Sequence, residues 1–361
     1  MRTLDYLSRL VSFDTRNPPG GDSELLAYLV AELSRDQPGR PDRLEHVIVE
    51  PGKHGYVAAF YGEPRRCINV HVDTVPITEG WTHPPLELTV VGEKAYGLGA
   101  ADTKGNIAIL LDLLNQHRPQ NAVLLFSGDE ENAGSCCIRA FLQTPEAKEI
   151  REAIVCEPTD LALGVAHRGY IKFRLTDEGP GGHSSRADEM QNPLINICRM
   201  ATILDDVAKD FLSVGTAPFF GLCLNIGKIS GGVAANVVPT RATLEASLRP
   251  PPVMDISEFF RAAQAALKTK NFSQTLLQIF AGPAFATRDV SAFKNTFENH
   301  FARQTPLNFW TETALFSDLG VNAVVFGPGS VTQAHAPNEF VQIADLQIAS
   351  AFYQNFLCRV S

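Results

Sequence analysis

The sequence predicts an α/β protein in which a larger domain, built on a mostly parallel sheet with helices on both faces, is interrupted by a smaller α+β domain. Three observations carry this reading. Short apolar runs of strand length alternate with stretches of helical period, the texture changes near residue 167 to strands of alternating polarity, and the first pattern returns late in the chain. A chain of 361 residues has the length for two domains. The boundaries fall at 1–167 with 280–361 for the larger domain and at 168–279 for the insert.

Taken in order, Leu4, Leu7, Leu10 and Val11, then Leu25, Leu26, Leu29 and Leu33, recur at helical spacing, so the chain opens with helices. Strands are expected at 56–61, 67–72, 122–127 and 153–156, with a helix over 106–114 between two of them. In the insert, 170–175, 223–229 and 242–248 read as alternating strands separated by helices at 193–209 and 256–267. A strand at 323–326 and a closing helix at 344–357 resume the α/β pattern. Ligands of such sheets gather beyond the carboxyl ends of the strands, and the polar clusters of this sequence fall there.

Composition excludes several classes of partner. The formal net charge of -9, with no dense run of Lys and Arg, argues against nucleic acid and against an anionic membrane. The opening residues, Met1-Arg2-Thr3-Leu4-Asp5-Tyr6-Leu7, lack the apolar stretch of a signal peptide, and nowhere do about 18 uncharged apolar residues run together, so a cytoplasmic location is expected. Seven irregularly spaced cysteines, with Cys136 and Cys137 adjacent, suit reduced thiols rather than a disulfide framework.

The chemistry-bearing residues sit behind apolar runs. His71 and Asp73 stand at the end of 67–72, two residues apart and so on one side of the backbone. Asp102 lies on a loop leading into a helix, where by itself it reads as a helix cap. Asp129, Glu130 and Glu131 crowd the mouth of the sheet directly after 122–127, where like charges repel unless a cation neutralises them. Glu157 follows 153–156, and His335 lies beyond 323–326. Five sheet-end segments each delivering an Asp, Glu or His point to a metal site. Mixed imidazole and carboxylate donors without thiolate favour zinc, with cobalt or manganese also suited, and speak against a closed structural zinc site.

Seven ordered motifs then resemble the M20 family of metallopeptidases and deacylases across the whole chain. They are His71-Val72-Asp73, the stretch 99–105 around Asp102, Asp129-Glu130-Glu131, Cys156-Glu157-Pro158-Thr159, Gly182-His183-Ser184-Ser185, Asn236-Val237-Val238-Pro239 and Gln333-Ala334-His335. The resemblance implies two divalent metal ions bridged by Asp102, with His71 and Glu157 completing one site and Glu131 and His335 the other. It implies Glu130 as general base, Asp73 as the carboxylate fixing the His71 tautomer, and a cis peptide bond after Asp102. It further implies that His183 donates to the oxyanion from the inserted lid domain of a partner subunit, through which the chain would form a homodimer. Asn236 and Arg249 would receive the substrate carboxylate.

The opening 10–19, the stretch Thr311-Glu312-Thr313 and the segment 327–335 are similar to those of acetylornithine and acetylcitrulline deacetylases within that family, which act in arginine biosynthesis. The expected reaction is removal of the acetyl group from an N-acetylated amino acid, acetylornithine first. Acetylcitrulline and succinyl-diaminopimelate are alternatives, and Glu312 is the candidate receptor for a distal ammonium. A non-catalytic metal-binding descendant is the reading from a different class, and Glu130, a base expected to ligate nothing, speaks against it.

Overall fold

A computed structural model describes residues 2–18, 20–132, 134–294 and 303–359. Met1 and Pro19, each part of a stretch read above, lie outside the described residues. The chain divides into two compact units, one comprising Met1–Val165, Thr287–Pro306 and Thr311–Ser361, the other Ala166–Ala286 with Leu307–Trp310.

The first unit is built on a twisted sheet whose central strands, in spatial order Ala122–Ser127, Arg66–His71, Glu152–Val155 and Asn322–Val325, are mutually parallel. They are parallel because a helical crossover separates each from its neighbour in sequence, as in Lys104–Leu114 between the strands that carry His71 and Ser127. Their burial on both faces explains why they read as largely apolar runs rather than alternating ones. On one face Leu7, Leu10, Leu25, Leu29, Ile107, Leu111 and Phe352 pack against Val57, Val70, Leu124 and Val324. On the other, Phe141 of helix Cys136–Leu142 meets Tyr56 edge-on at 5.8 Å.

Outside this parallel centre the sheet is antiparallel. His54–Tyr61 pairs antiparallel with Ala122–Ser127, and Arg43–Glu50 closes that edge in the same sense. No strand is expected at 43–50 from the sequence, because charged and polar side chains interrupt it and four of its eight positions are exposed. The Asp102 cap reading fails as well. The N-cap of Lys104–Leu114 is Thr103, and it makes no side-chain capping bond.

The second unit is a four-stranded antiparallel sheet in the order Cys223–Gly231, Arg241–Arg249, Tyr170–Glu178, Leu277–Gly282. Strict alternation of burial along Tyr170–Glu178 and Arg241–Arg249 turns one face towards helices Pro193–Lys209 and Ile256–Thr269. Ile171, Phe173, Leu175, Met200, Leu244 and Phe259 lie at its core. Both helices start where the residues dictate: Asn192 accepts from Leu194 N at 3.0 Å ahead of Pro193, and Asp255 accepts from Ser257 N at 2.9 Å. All seven cysteines are unpaired. No helix among the described residues is long and apolar enough to cross a membrane.

Candidate metal centre

The parallel register sets the site. His71 is level with Ser127 on the neighbouring strand, so the imidazole and the acidic turn 128–131 leave the sheet side by side. Glu157 emerges two residues after Glu152–Val155 on the other flank of the same strand. These ends bring together two donor groups, His71 with Asp102 and Glu157, and Asp102 with Glu131 and His335, within each of which the donor atoms lie within 4.8 Å of one another. Asp102 belongs to both. Its Oδ1 is 3.0 Å from His71 Nε2 and its Oδ2 3.4 Å from His335 Nε2. His335 Nε2 also lies 3.0 Å from Glu131 Oε2, and His71 Nε2 3.9 Å from Glu157 Oε2. The Asp102–Thr103 peptide bond is cis.

The surroundings orient these donors. His71 Nδ1 donates to the backbone carbonyl of Asp73 at 3.0 Å, which leaves Nε2 as the nitrogen that faces Asp102 and Glu157 and is available to an ion. The resemblance implies the Asp73 carboxylate in this role, and its Oδ1 lies 3.6 Å from the same nitrogen. That carboxylate accepts from Glu130 N at 3.2 Å, Glu131 N at 3.1 Å and Asn17 Nδ2 at 3.0 Å, so it holds the acidic turn as well as standing behind the histidine.

Glu339 is a functional candidate that sequence reasoning missed. Buried four residues after His335, it accepts from the backbone N–H groups of Gly99, Ala101 and Asp102 at 3.0, 2.9 and 3.0 Å. The only signal in the sequence is its nearness to His335, since nothing periodic marks an acid in a loop.

The electrostatics are those of acids gathered without enough positive charge. Burial, reinforced by Glu157 beside it, raises the Glu130 carboxyl well above the usual range; burial and Asp102 do the same for Glu157. Glu131 is raised by burial and Asp102. Burial opposes charge on His71 and Asp102, yet the Asp102 and Asp73 carboxylates raise His71, and His335 with His71 lowers Asp102. His335, held by Asp102 and Glu131, is pushed up to about 11. One oxygen of Glu131 is buried with no hydrogen-bond partner. A donor set of imidazole and carboxylate, an orphaned carboxylate oxygen and excess buried negative charge all fit divalent cations, which remove the repulsion outright.

The remaining candidates fall in two places. Glu312 is 1% exposed in the first unit, where its Oε2 accepts from Asn69 Nδ2 at 2.8 Å and burial raises its carboxyl to about 7. In the second unit, strand pairing of Gly182–His183 with Val237–Val238 brings His183 and Asn236 together, and Ser184 N donates to Asn236 O at 3.0 Å. His183 is exposed, and its Nδ1 accepts from Ser185 N at 3.2 Å, which favours the ring proton on Nε2. Arg249 stacks its guanidinium 4.0 Å over the Tyr170 ring, and burial lowers its pKa.

Comparison with known proteins agrees with this architecture. A family model described as peptidase family M20/M25/M40 matches residues 67–359. The chain is 34% identical over 369 residues to an N-acetyl-L-citrulline deacetylase of Xanthomonas campestris, covering 96% of this chain and 94% of the relative. It is 29% identical over 298 residues to an acetylornithine deacetylase of Pasteurella multocida, covering 78% of each. Among solved structures, an M20 family metallo-carboxypeptidase from Sulfolobus solfataricus superposes with a TM-score of 0.78 at 18% identity, covering 99% of this chain and 98% of that one. A Bacillus subtilis protein described as a dinuclear metal binding peptidase of the M20 family gives a TM-score of 0.61 at 14% identity, covering 99% and 98%.

Proposed function

We infer the reaction from one premise: the chain belongs to peptidase family M20/M25/M40 and is an amidohydrolase of that family. On that basis we propose that it removes the acetyl group from N-acetylcitrulline in the cytoplasm, as a step of arginine biosynthesis, using two zinc ions. The observation carrying the chemistry is Asp102, which offers one carboxylate oxygen to each of two histidines while Glu130 stands in neither donor group.

Asp102 would bridge the ions, with His71 and Glu157 completing one site and Glu131 and His335 the other. When bound, such ions supply Lewis acidity for a carbonyl and lower the pKa of a water towards neutrality. Glu130 removes the proton of the water as its oxygen attacks the amide carbonyl carbon. Glu130 then returns the proton to the amide nitrogen as the C–N bond breaks, releasing acetate and the free amino acid. His183 Nε2–H is the candidate donor to the oxyanion, supplied by the second unit of a partner subunit in a homodimer, and Asn236 and Arg249 would receive the α-carboxylate.

Acetylcitrulline is preferred because the relative of that name matches over almost the whole chain. In addition, Glu312, the candidate receptor for a distal ammonium, is buried against Asn69. Acetylornithine is the second reading, favoured by the relatives of that name. The test is kcat/KM for acetylcitrulline, acetylornithine and succinyl-diaminopimelate, each with zinc and with cobalt. Acetylcitrulline is expected to lead by tenfold or more. A lead for acetylornithine overturns the substrate, and no turnover on any of the three with two ions bound overturns the reaction.

A further inference from the structure

Asn17, in a stretch that resembles that of the deacetylases, and Asp22, neither of which the mechanism above uses, lie against the turn that presents Glu130 and Glu131. Asp22 occupies the N-cap position of helix Ser23–Leu33 yet makes no capping bond with its side chain. Its fully buried carboxylate turns inward, Oδ2 lying 3.2 Å from His54 Nδ1. The other ring nitrogen of His54 faces Asp129 Oδ1 at 3.9 Å. Asn17 Nδ2 donates to that same Asp129 oxygen at 3.3 Å and to Asp73 Oδ2 at 3.0 Å, the carboxylate that in turn holds the N–H groups of Glu130 and Glu131.

The backbone is shaped around this chain of contacts. A Cβ on Gly128 would stand 1.6 Å from Asp22 Oδ2, and one on Gly134 would stand 2.0 Å from Asp129 Oδ2, so both carboxylates occupy space that only glycine leaves open. Asp129 itself sits at φ 66°, with Cys136 N donating to its Oδ2 at 3.2 Å and Ser135 N to its carbonyl at 2.6 Å. A residue held in the left-handed region, immediately before the base, needs its surroundings to over-determine it.

We propose that Asp22 and His54 are positioning residues: acting through Asp129, which Asn17 ties to Asp73, they set the turn that aims Glu130 at the reacting water and Glu131 at its ion. The inference rests on the functional reading for its activity readout but not for its metal readout. The experiment measures kcat and KM on acetylcitrulline, and separately titrates metal-stripped protein with Co2+ followed by visible absorption, for the parent, D22A, D22N and H54A. Loss of partners behind a ligand costs about 10–100-fold in metal affinity or activity. D22A and H54A are therefore expected to lose about that much in kcat with KM within about twofold, and to bind the weaker of two Co2+ ions less tightly by a similar factor. D22N, which keeps an oxygen to accept from His54, is expected to recover most of both. If D22A does not fold, N17A carries the same expectation. Values of kcat and of both cobalt constants within twofold of the parent overturn the inference, as does a D22N as impaired as D22A. A parent that binds two Co2+ ions but hydrolyses no N-acyl amino acid overturns the functional reading, and the cobalt titration then decides this inference by itself.

Discussion

The backbone N–H of Asp102 donates to Glu339 Oε1 at 3.0 Å, so the residue shared by both donor groups is fastened by an acid four positions after another member of one group, His335. One short segment therefore supplies a donor and steadies the loop that carries another. Removing the carboxylate in E339A leaves three buried N–H groups unpaired, at a cost of about 1–3 kcal/mol for each such group. E339A is expected to lose roughly 3 kcal/mol or more in urea unfolding of the metal-stripped protein. E339Q, which keeps Oε1 and forfeits the bond from Gly99, is expected to lose less than half as much. Equal stability of E339A and the parent would refute the role.

Glu130 is the sharpest test of the reaction. Its removal as a proton carrier should slow turnover by about 10²–10⁴-fold. Because it stands outside both donor groups, E130Q is expected to keep two ions by metal analysis and a KM near that of the parent. A variant that loses an ion together with its activity would mean that Glu130 ligates, and the assignment of base and ligand would have to be redrawn.

The candidate site was legible where it obeys a rule of parallel sheets: His71 and Glu157 stand at or just behind buried strand ends, as Val70 precedes His71 and Val155 precedes Glu157 by two, whereas Asp102 lies in a loop that carries no such signal. Pro193–Lys209 was legible for another reason, Asn192 and Pro193 being its cap and first turn. What the sequence hid were relationships between distant residues in irregular backbone. Glu339 has no periodic neighbour, and the bond that sets the His71 tautomer comes from a carbonyl, which every residue possesses. The strand Arg43–Glu50 was hidden because an edge strand with half its positions facing water carries no apolar run.

Ser185 N donates to His183 Nδ1 at 3.2 Å and Ser185 Oγ lies 2.8 Å from the same nitrogen, an arrangement that favours the proton on the exposed Nε2, the atom proposed above for the oxyanion. Loss of an oxyanion donor costs about 10²–10³-fold in kcat. H183A is expected to fall in that range with metal content unchanged, and H183Q, whose amide also donates, to fall less. The check is steady-state kinetics on acetylcitrulline beside metal analysis; an H183A with parental kcat removes the histidine from the mechanism.

Glu312 should make stability depend on pH in a direction opposite to that of an ion-paired acid. Burial raises its carboxyl from 4.5 to about 7 in the fold, so between those values the folded protein binds more protons at this site than the unfolded chain. Its contribution is fully present below about 4.5 and is lost as pH rises through about 7, a change of roughly 3 kcal/mol by linkage. E312Q keeps the shape and an oxygen for Asn69 Nδ2 but cannot ionise. In metal-stripped protein the variant and the parent are expected to differ little at the acid end of that window. The variant should be more stable by up to about 3 kcal/mol at pH 8, measured by urea unfolding at both pH values. A difference that does not grow with pH would place the carboxylate among groups that welcome charge, and Glu312 would return as a receptor for an ammonium. In that case E312Q would selectively lower kcat/KM for acetylornithine, while acetylcitrulline turnover stayed at the parental level.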